Sequence, residues 1–214
     1  MGHLLIHRGL AKKTFKENTL KSFKYCFQKN FGIETDLHVT KDNKIVCFHD
    51  FNLKKQFKIN KYVNKTNYKD LVNISRKNKK PIPLLSDLIK VSNNKSFLML
   101  EIKPILQKDK INLLLKEINK LKNFSITSFK EKNIINLYNL RKKLNLGLLI
   151  PSTFNFDMIV SKSKKKYVKF LVLEKKFLRE KRLDKIKKKI YFYTIKKNSD
   201  FKKYKNFNLI FENL

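Results

Sequence analysis

Short apolar runs alternate with amphipathic helical segments along nearly the whole chain, and this alternation limits the fold more than any other feature. Runs of this length bounded by turn residues are typical of buried strands, and the alternation predicts a parallel α/β fold. Asn18 is predicted to cap the first helix. The predicted strands are 3–9, 32–39, 45–50, 96–103, 124–129, 146–150, 168–174, 190–195 and 208–213, and the predicted helices are 18–30, 83–92, 109–122, 130–144, 155–166, 177–189 and 199–205.

The nine predicted strands are one more than a TIM barrel uses. Residues 41–44 are too few to carry a parallel crossover, so the two strands that they join must form an antiparallel hairpin. The other eight strands then predict a (β/α)8 TIM barrel formed as a single domain by residues 1–214. Residues 51–82, which are basic and show no clear period, are predicted to be a small irregular insertion after strand two.

The hairpin also predicts which side chains meet. If Asp42 and Asn43 form a two-residue turn, Asp36 lies directly opposite His49. Opposed residues of two antiparallel strands point to the same face, with Cβ atoms about 5 Å apart. The hairpin is therefore expected to return His49 to the end of the barrel where Asp36 lies.

The carboxyl ends of the predicted strands hold several of the few acidic residues. Glu34 and Asp36 alternate on one strand and so share a face, and Glu101 ends a later strand. In a TIM barrel these strand ends meet at one face, where active sites lie. Three carboxylates suit a hard divalent cation such as Mg²⁺ or Ca²⁺.

Histidines and cations end the same strands. His7 and Arg8 end strand one, Lys103 shares a strand face with Glu101, and His49 returns through the hairpin. Alone, each has an ordinary structural explanation, such as a surface pair or a cross-strand ion pair. Together they supply what phosphodiester hydrolysis needs, namely cations for the phosphate charge and groups for proton transfer.

The ordered motifs of the chain resemble the glycerophosphodiester phosphodiesterase family. The motifs are HRG, ENTLKSF, GIETDLHVTKDNKIVCFHD, PLLSDL, LEIKP and ITSF. The resemblance covers nearly the whole chain and is most specific in residues 7–50 and 97–104. It implies a TIM barrel with a small insertion after strand two.

The resemblance also implies roles for individual residues. It implies one divalent cation, Mg²⁺ or Ca²⁺, bound by Glu34, Asp36 and Glu101, an acid/base pair formed by His7 and His49, and a phosphate site formed by Arg8 and Lys103. It also implies a pocket lined by Glu17, Asn18, Ser128, Phe129 and Tyr193, of which Glu17 and Asn18 would shape the loop after strand one. Tyr193 stands near the place where the family usually has Trp. Glu212 and Asn213 stand where the family usually closes with a Thr-Asp pair. Because of these departures, the resemblance does not identify the residues that contact the alcohol part of the substrate, or which alcohol it is.

The function that this resemblance implies is metal-dependent hydrolysis of a small-molecule glycerophosphodiester to glycerol 3-phosphate and an alcohol. Two other functions stay open. One is a phospholipase that acts on lysophospholipids or phosphoinositides at a membrane surface. The other is a basic binding module that has lost catalysis, which the complete polar set disfavours.

The net charge of +34 has two explanations. It is typical of proteins that bind nucleic acids or anionic membranes. However, only five of the 51 basic residues are arginine, the side chain that best reads bases, and the abundant Lys, Asn, Ile and Phe share A/T-rich codons. We therefore expect a scattered lysine coat and no specific nucleic-acid partner.

The remaining sequence features concern the cellular compartment of the protein. No apolar run reaches about 18 residues, so no transmembrane segment is predicted, and the first residues do not resemble a signal peptide. Two cysteines do not make a disulfide framework. The expected location is the cytoplasm, and the oligomeric state is left open.

Overall fold

Parallel strands close into a barrel. The computed structural model describes residues 2–212, and within this range the strands are Leu4–His7 (β1), Gly32–Val39 (β2), Ile45–Cys47 (β3), Leu98–Ile102 (β4), Phe124–Ser128 (β5), Leu146–Leu149 (β6), Phe170–Glu174 (β7), Lys189–Ile195 (β8) and Asn208–Phe211 (β9). Eight strands pair in parallel in the order β1-β2-β4-β5-β6-β7-β8-β9 and back to β1, while β3 pairs antiparallel with β2. The predicted TIM barrel with an added hairpin is confirmed.

Helices cover the outside of the barrel. In the described part of the chain the α-helices are Leu20–Gln28 (α1), Lys54–Phe57 (α2), Tyr68–Lys77 (α3), Leu85–Ser92 (α4), Lys108–Glu117 (α5), Glu131–Leu140 (α6), Phe156–Ser163 (α7) and Asn198–Tyr204 (α8). Short 3-10 helices span Val63–Lys65, Lys175–Arg179 and Leu183–Lys185. No helix among the described residues is both long and apolar enough to cross a bilayer.

Two apolar layers hold the barrel together. The larger layer lies between strands and helices and includes Phe23, Leu88 and Leu137, all inaccessible to solvent. The smaller layer fills the barrel interior and includes Leu5, Met99, Phe170, Val172, Tyr191 and Ile210. Because the interior is filled by side chains, the barrel has a solid floor beneath the strand ends.

Gly147 provides space for one of the interior rings. It lies beside Phe170 across the β6–β7 pair, and a Cβ at Gly147 would overlap the Phe170 ring. We expect Gly147→Ala to lower the free energy of unfolding by about 1–3 kcal/mol, measured by urea denaturation. The double variant Gly147→Ala/Phe170→Leu should regain part of this loss. An unchanged midpoint for Gly147→Ala would show that the ring can move aside.

The hairpin differs from the prediction by one residue of register. Leu37 lies opposite Cys47, and the Phe48 N–H donates to the Asp36 carbonyl at 2.9 Å. Phe48 rather than His49 therefore lies opposite Asp36. The predicted pairing of Asp36 with His49 is wrong.

A longer turn causes this shift. Thr40 N–H donates to the Lys44 carbonyl at 2.9 Å, so the loop is 41–43 and has three residues instead of the predicted two. Asn43, the last of them, has a φ of 61°, a conformation that asparagine tolerates. The Thr40 hydroxyl stabilises the loop because it donates to Asp42 Oδ1 at 2.6 Å. Three-residue loops that end in a left-handed residue are a common hairpin type.

The insertion is not irregular, as the sequence had suggested, but largely helical. It contains α2, a 3-10 helix and α3. Leu53, Phe57 and Leu71 of the insertion are buried together with Val46 and Phe48 of the hairpin, in a small apolar cluster of their own. Tertiary contact with the hairpin thus orders a lysine-rich segment whose apolar stripe is short.

The predicted helix at 177–189 is also wrong. Two 3-10 helices, Lys175–Arg179 and Leu183–Lys185, occupy this stretch, and β8 begins at Lys189. Phe177 and Leu178 are buried, but the next helical turn offers only charged residues to the core. Without a continuous apolar stripe, an α-helix has no face to pack.

Candidate active site

The predicted polar residues meet at the carboxyl end of the barrel. Register places His7 beside Glu34 on β1 and β2, and Asp36 beside Glu101 on β2 and β4. A cavity of about 290 Å³ opens here. Its polar and aromatic lining comprises His7, Arg8, Glu34, His49, Glu101, Lys103, Thr127, Phe129, Tyr193, Thr194, Lys196 and Glu212, above an apolar floor of Met99, Leu149, Val172 and Ile210.

Three buried carboxylates cluster at the site. One oxygen each from Glu34, Asp36 and Glu101 lie within 4.8 Å of one another, and all three residues are buried. Both Glu34 oxygens and Asp36 Oδ1 are shielded from solvent and accept no hydrogen bond from the described residues. Buried carboxylates without donors are costly unless a cation binds them.

The electrostatics of this cluster favour the binding of a cation. Burial, and then the carboxylates of Asp36 and Glu101, raise the pKa of Glu34 well above its usual value. Burial and Asp36 likewise raise the pKa of Glu101 to about 7. Burial opposes the charge of Asp36 too, but Arg8 and Lys103 outweigh it and hold the pKa of that carboxyl below its usual value. An all-oxygen set of this kind fits a hard divalent cation.

Arg8 and Lys103 lie against the cluster. Arg8 Nε is 3.1 Å from Asp36 Oδ2, and Lys103 Nζ is 2.8 Å from Glu101 Oε1 and 3.4 Å from Asp36 Oδ1. Arg8 adopts a φ of 56°, and its N–H donates to the Glu34 carbonyl at 2.8 Å. This left-handed backbone turns the chain at the end of β1 while the guanidinium stays at the cavity.

His49 reaches the cavity by a route that strand alternation does not predict. β3 ends at Cys47, so the chain leaves the ladder before His49 and regular alternation no longer decides where it points. Its Nδ1 lies 2.7 Å from Asp50 Oδ1, and its carbonyl lies 3.2 Å from His38 Nε2. Burial lowers the pKa of His49 even though the Asp36 carboxylate opposes this. The two histidines therefore line one cavity despite the shifted register.

Two carboxylates that pair with the histidines were missed in the sequence. Glu212 Oε1 lies 2.7 Å from His7 Nδ1, and Asp50 holds His49 in the same way. Asp50 adjoins His49 in the FHD motif, which could have suggested the pair. Glu212 follows the last strand, at the position where the chain departs from the Thr-Asp pair of the family. Asn213 lies outside the described residues.

Glu17 lies outside the residues that line the cavity and instead supports one that does. Its carboxylate is 3.3 Å from Arg8 Nη1 and 3.1 Å from Lys80 Nζ, and it accepts from Gln56 Nε2 at 3.2 Å. Gln56 and Lys80 belong to the insertion. Glu17 therefore links the insertion to the guanidinium of Arg8.

Asn18 is also a support for the cavity and does not cap α1. Its Nδ2 donates to Asp36 Oδ2 at 3.2 Å, and its Oδ1 accepts from the Thr35 hydroxyl at 2.7 Å. The N-cap is Thr19, whose hydroxyl accepts the Ser22 N–H. The predicted cap is thus wrong by one residue, because the side chain of Asn18 is already used by β2.

The other three residues expected to line the pocket divide into two groups. Phe129 and Tyr193 line the cavity and pack edge to face, with ring centroids 6.2 Å apart. Ser128 is instead buried beside it, where its hydroxyl donates to the Ile102 carbonyl at 2.7 Å and accepts from Asn133 Nδ2. Its place is structural rather than pocket-lining.

Comparison with known proteins identifies the family. The model of the glycerophosphoryl diester phosphodiesterase family matches residues 7–206. The chain belongs to this family. The chain is therefore a phosphoric diester hydrolase by class. Its cavity lies at the carboxyl ends of the barrel strands, where active sites of TIM barrels are found.

Solved structures of similar fold include glycerophosphodiester phosphodiesterases. A glycerophosphodiester phosphodiesterase from Thermotoga maritima is 21% identical with a TM-score of 0.79, over 99% of this chain and 94% of that one. An Oleispira antarctica phosphodiesterase, solved with the product sn-glycerol-3-phosphate, is 21% identical with a TM-score of 0.82, over 98% and 92%. A Parabacteroides distasonis glycerophosphodiester phosphodiesterase is 18% identical with a TM-score of 0.80, over 99% and 92%. No curated protein matches the chain.

Proposed function

We propose that the protein hydrolyses glycerophosphodiesters to glycerol 3-phosphate and an alcohol, with one divalent cation, Mg²⁺ or Ca²⁺, and two histidines. The observation that carries this proposal is the single cavity that joins His7 and His49 with Arg8, Lys103 and the buried carboxylate cluster. Family membership supports the reaction class. We further propose that residues 1–214 act as one domain.

The carboxylates of Glu34, Asp36 and Glu101 would hold the cation. A bound cation supplies charge stabilisation to the phosphate oxygens during displacement at phosphorus. It would also compensate the Glu34 oxygens, which accept no hydrogen bond from the described residues. Arg8 and Lys103, which reach the same cavity, would bind and orient the phosphate by charge-assisted hydrogen bonds.

The histidines would move the protons. One removes a proton from the attacking oxygen, either water or the 2-hydroxyl of the glycerol unit, and the other gives a proton to the alcohol oxygen as its bond to phosphorus breaks. If the 2-hydroxyl attacks, water opens the resulting cyclic phosphate in a second step. Both routes consume one water and yield the same products.

The size of the cavity supports a small substrate. A volume of about 290 Å³ is at the lower end of ligand pockets and suits a deacylated diester. The Oleispira relative binds glycerol 3-phosphate as its product, which supports the same product here.

The direct test is hydrolysis of glycerophosphocholine, glycerophosphoethanolamine and glycerophosphoglycerol, with glycerol 3-phosphate measured by a coupled assay. Turnover of at least one substrate with Mg²⁺ or Ca²⁺, and its loss in EDTA, is expected. Turnover only of micellar lysophospholipid would instead favour the membrane-surface phospholipase. No turnover of any diester would favour the inactive binding module.

The lysine coat leads to a separate prediction about nucleic acid. Exposed lysines occur in loops and turns far apart along the chain, such as Lys58, Lys120, Lys165 and Lys187. We expect weak DNA binding without sequence preference, because scattered charges contact phosphates and not base edges. Fluorescence anisotropy between about 50 and 200 mM salt should show affinity falling steeply, by roughly 10²-fold or more. Submicromolar, sequence-selective binding near physiological salt would contradict the prediction.

A further inference from the structure

The carboxylate of Glu212, which follows the last strand, contacts Nδ1 of His7 on the first strand. Its N–H donates to the Ile195 carbonyl at 2.9 Å, which continues the β8–β9 ladder and fixes its backbone. Its Oε1 lies 2.7 Å from His7 Nδ1, and its Oε2 lies 3.3 Å from Lys196 Nζ. On the other side of the imidazole, His7 Nε2 lies 3.7 Å from Glu34 Oε2. The ring therefore has one nitrogen committed to Glu212 and the other facing the carboxylate cluster.

The chemistry of Glu212 decides which nitrogen carries the proton. The hydrogen bond from His7, with support from the Lys196 charge, lowers the pKa of Glu212 to about 2, so its carboxylate is ionised. An ionised carboxylate only accepts hydrogen bonds, so Nδ1 of His7 must carry a proton. In the neutral ring Nε2 then keeps its lone pair toward the cavity, which is the form that proton transfer there requires.

We propose that Glu212 is a positioning residue of the phosphodiesterase reaction, which fixes the ring orientation and the tautomer of His7 through the Nδ1 contact. The inference rests on the proposed function only for its effect on rate. The tautomer itself can be measured without substrate.

The contact between Lys196 and Glu212 predicts how an amide at position 212 would be oriented, which provides a test of the proposal. In Glu212→Gln the amide keeps the shape of the carboxylate but has one acceptor and one donor end. The ammonium of Lys196 prefers the amide oxygen, so the NH₂ group would face His7 Nδ1 and require that nitrogen to accept. The proton would then move to Nε2, the wrong tautomer, as in serine-protease triads whose carboxylate is replaced by an amide. Removing Lys196 as well frees the amide to turn its oxygen to His7.

The experiment compares Glu212→Gln with Glu212→Gln/Lys196→Ala, using ¹⁵N NMR of His7 and steady-state kinetics with Mg²⁺ or Ca²⁺. In the unaltered protein the NMR spectrum should show the Nδ1–H tautomer. Glu212→Gln should shift it to Nε2–H and lower kcat about 10²–10⁴-fold with little change in KM. The double variant should regain several-fold in kcat and part of the Nδ1–H signal. Glu131→Gln, which breaks a Lys162 ion pair outside the cavity, should change neither.

The outcomes distinguish a failure of the role proposed for Glu212 from a failure of the proposed hydrolytic function. An Nε2–H tautomer in the unaltered protein, or an unchanged tautomer and kcat in Glu212→Gln, would overturn the inference even if the protein hydrolyses glycerophosphodiesters. If the protein turns over no diester, the proposed function fails. A tautomer shift in Glu212→Gln would still show that Glu212 sets the state of His7.

Discussion

Alanine in place of His49, or of His7, is expected to lower kcat for glycerophosphocholine hydrolysis about 10²–10⁴-fold, because each removes a proton-transfer group from the cavity. Initial rates at saturating substrate, with Mg²⁺ or Ca²⁺ present, measure the loss. His3→Ala is the matched control, since His3 is exposed and hydrogen-bonds Tyr191 before the start of β1. Losses below tenfold at both positions would exclude a two-histidine mechanism.

The leaving group shows which histidine is the acid. A glycerol 3-phosphate ester of p-nitrophenol releases a weakly basic phenolate that needs little protonation. The variant that lacks the general acid should therefore lose far less activity on this ester than on glycerophosphocholine. The variant that lacks the base should lose similar factors on both. Equal losses for both variants on both substrates would show that neither histidine protonates the leaving alcohol.

Glutamine in place of Glu34 is expected to abolish turnover while it stabilises the metal-free protein. The buried Glu34 carboxylate accepts no hydrogen bond from residues 2–212, so replacing it with a neutral side chain of the same shape should raise the free energy of unfolding by about 1–3 kcal/mol. Thermal or urea unfolding in EDTA measures this gain. Glu117→Gln, a half-buried residue on α5, is the matched control and should show no comparable gain.

Added metal should reverse the order of stability. A cation at about 1,000 times its Kd stabilises the unaltered protein by about 4.1 kcal/mol, whereas Glu34→Gln, with one ligand fewer, should gain much less. Titration of Mg²⁺ and Ca²⁺ against the unfolding midpoint also shows which ion binds more tightly. No stabilisation of the unaltered protein by either ion would remove the metal from the proposal.

Local patterns in the chain were sufficient for the barrel and for the neighbourhood of the site. Eight buried apolar runs of strand length, separated by helical segments, most commonly form a closed parallel barrel surrounded by helices. Alternation placed Glu34 and Asp36 on one face of β2, and strand-end position placed Glu101 nearby. These inferences succeeded because side-chain direction within a regular strand depends only on residue count.

Features that depend on contacts between distant segments could not be predicted in this way. The hairpin register follows from the Thr40 and Asn43 loop geometry, and His49 reaches the cavity because β3 ends before it. Helix α3 forms where the hairpin offers an apolar surface for Leu71. Glu212 meets His7 only because the last strand closes against the first, which brings residues 205 positions apart to within a hydrogen bond. The sequence by itself thus determined the barrel and the chemical groups at its mouth, whereas barrel closure brought Glu212 to His7, because these two residues lie at opposite ends of the chain.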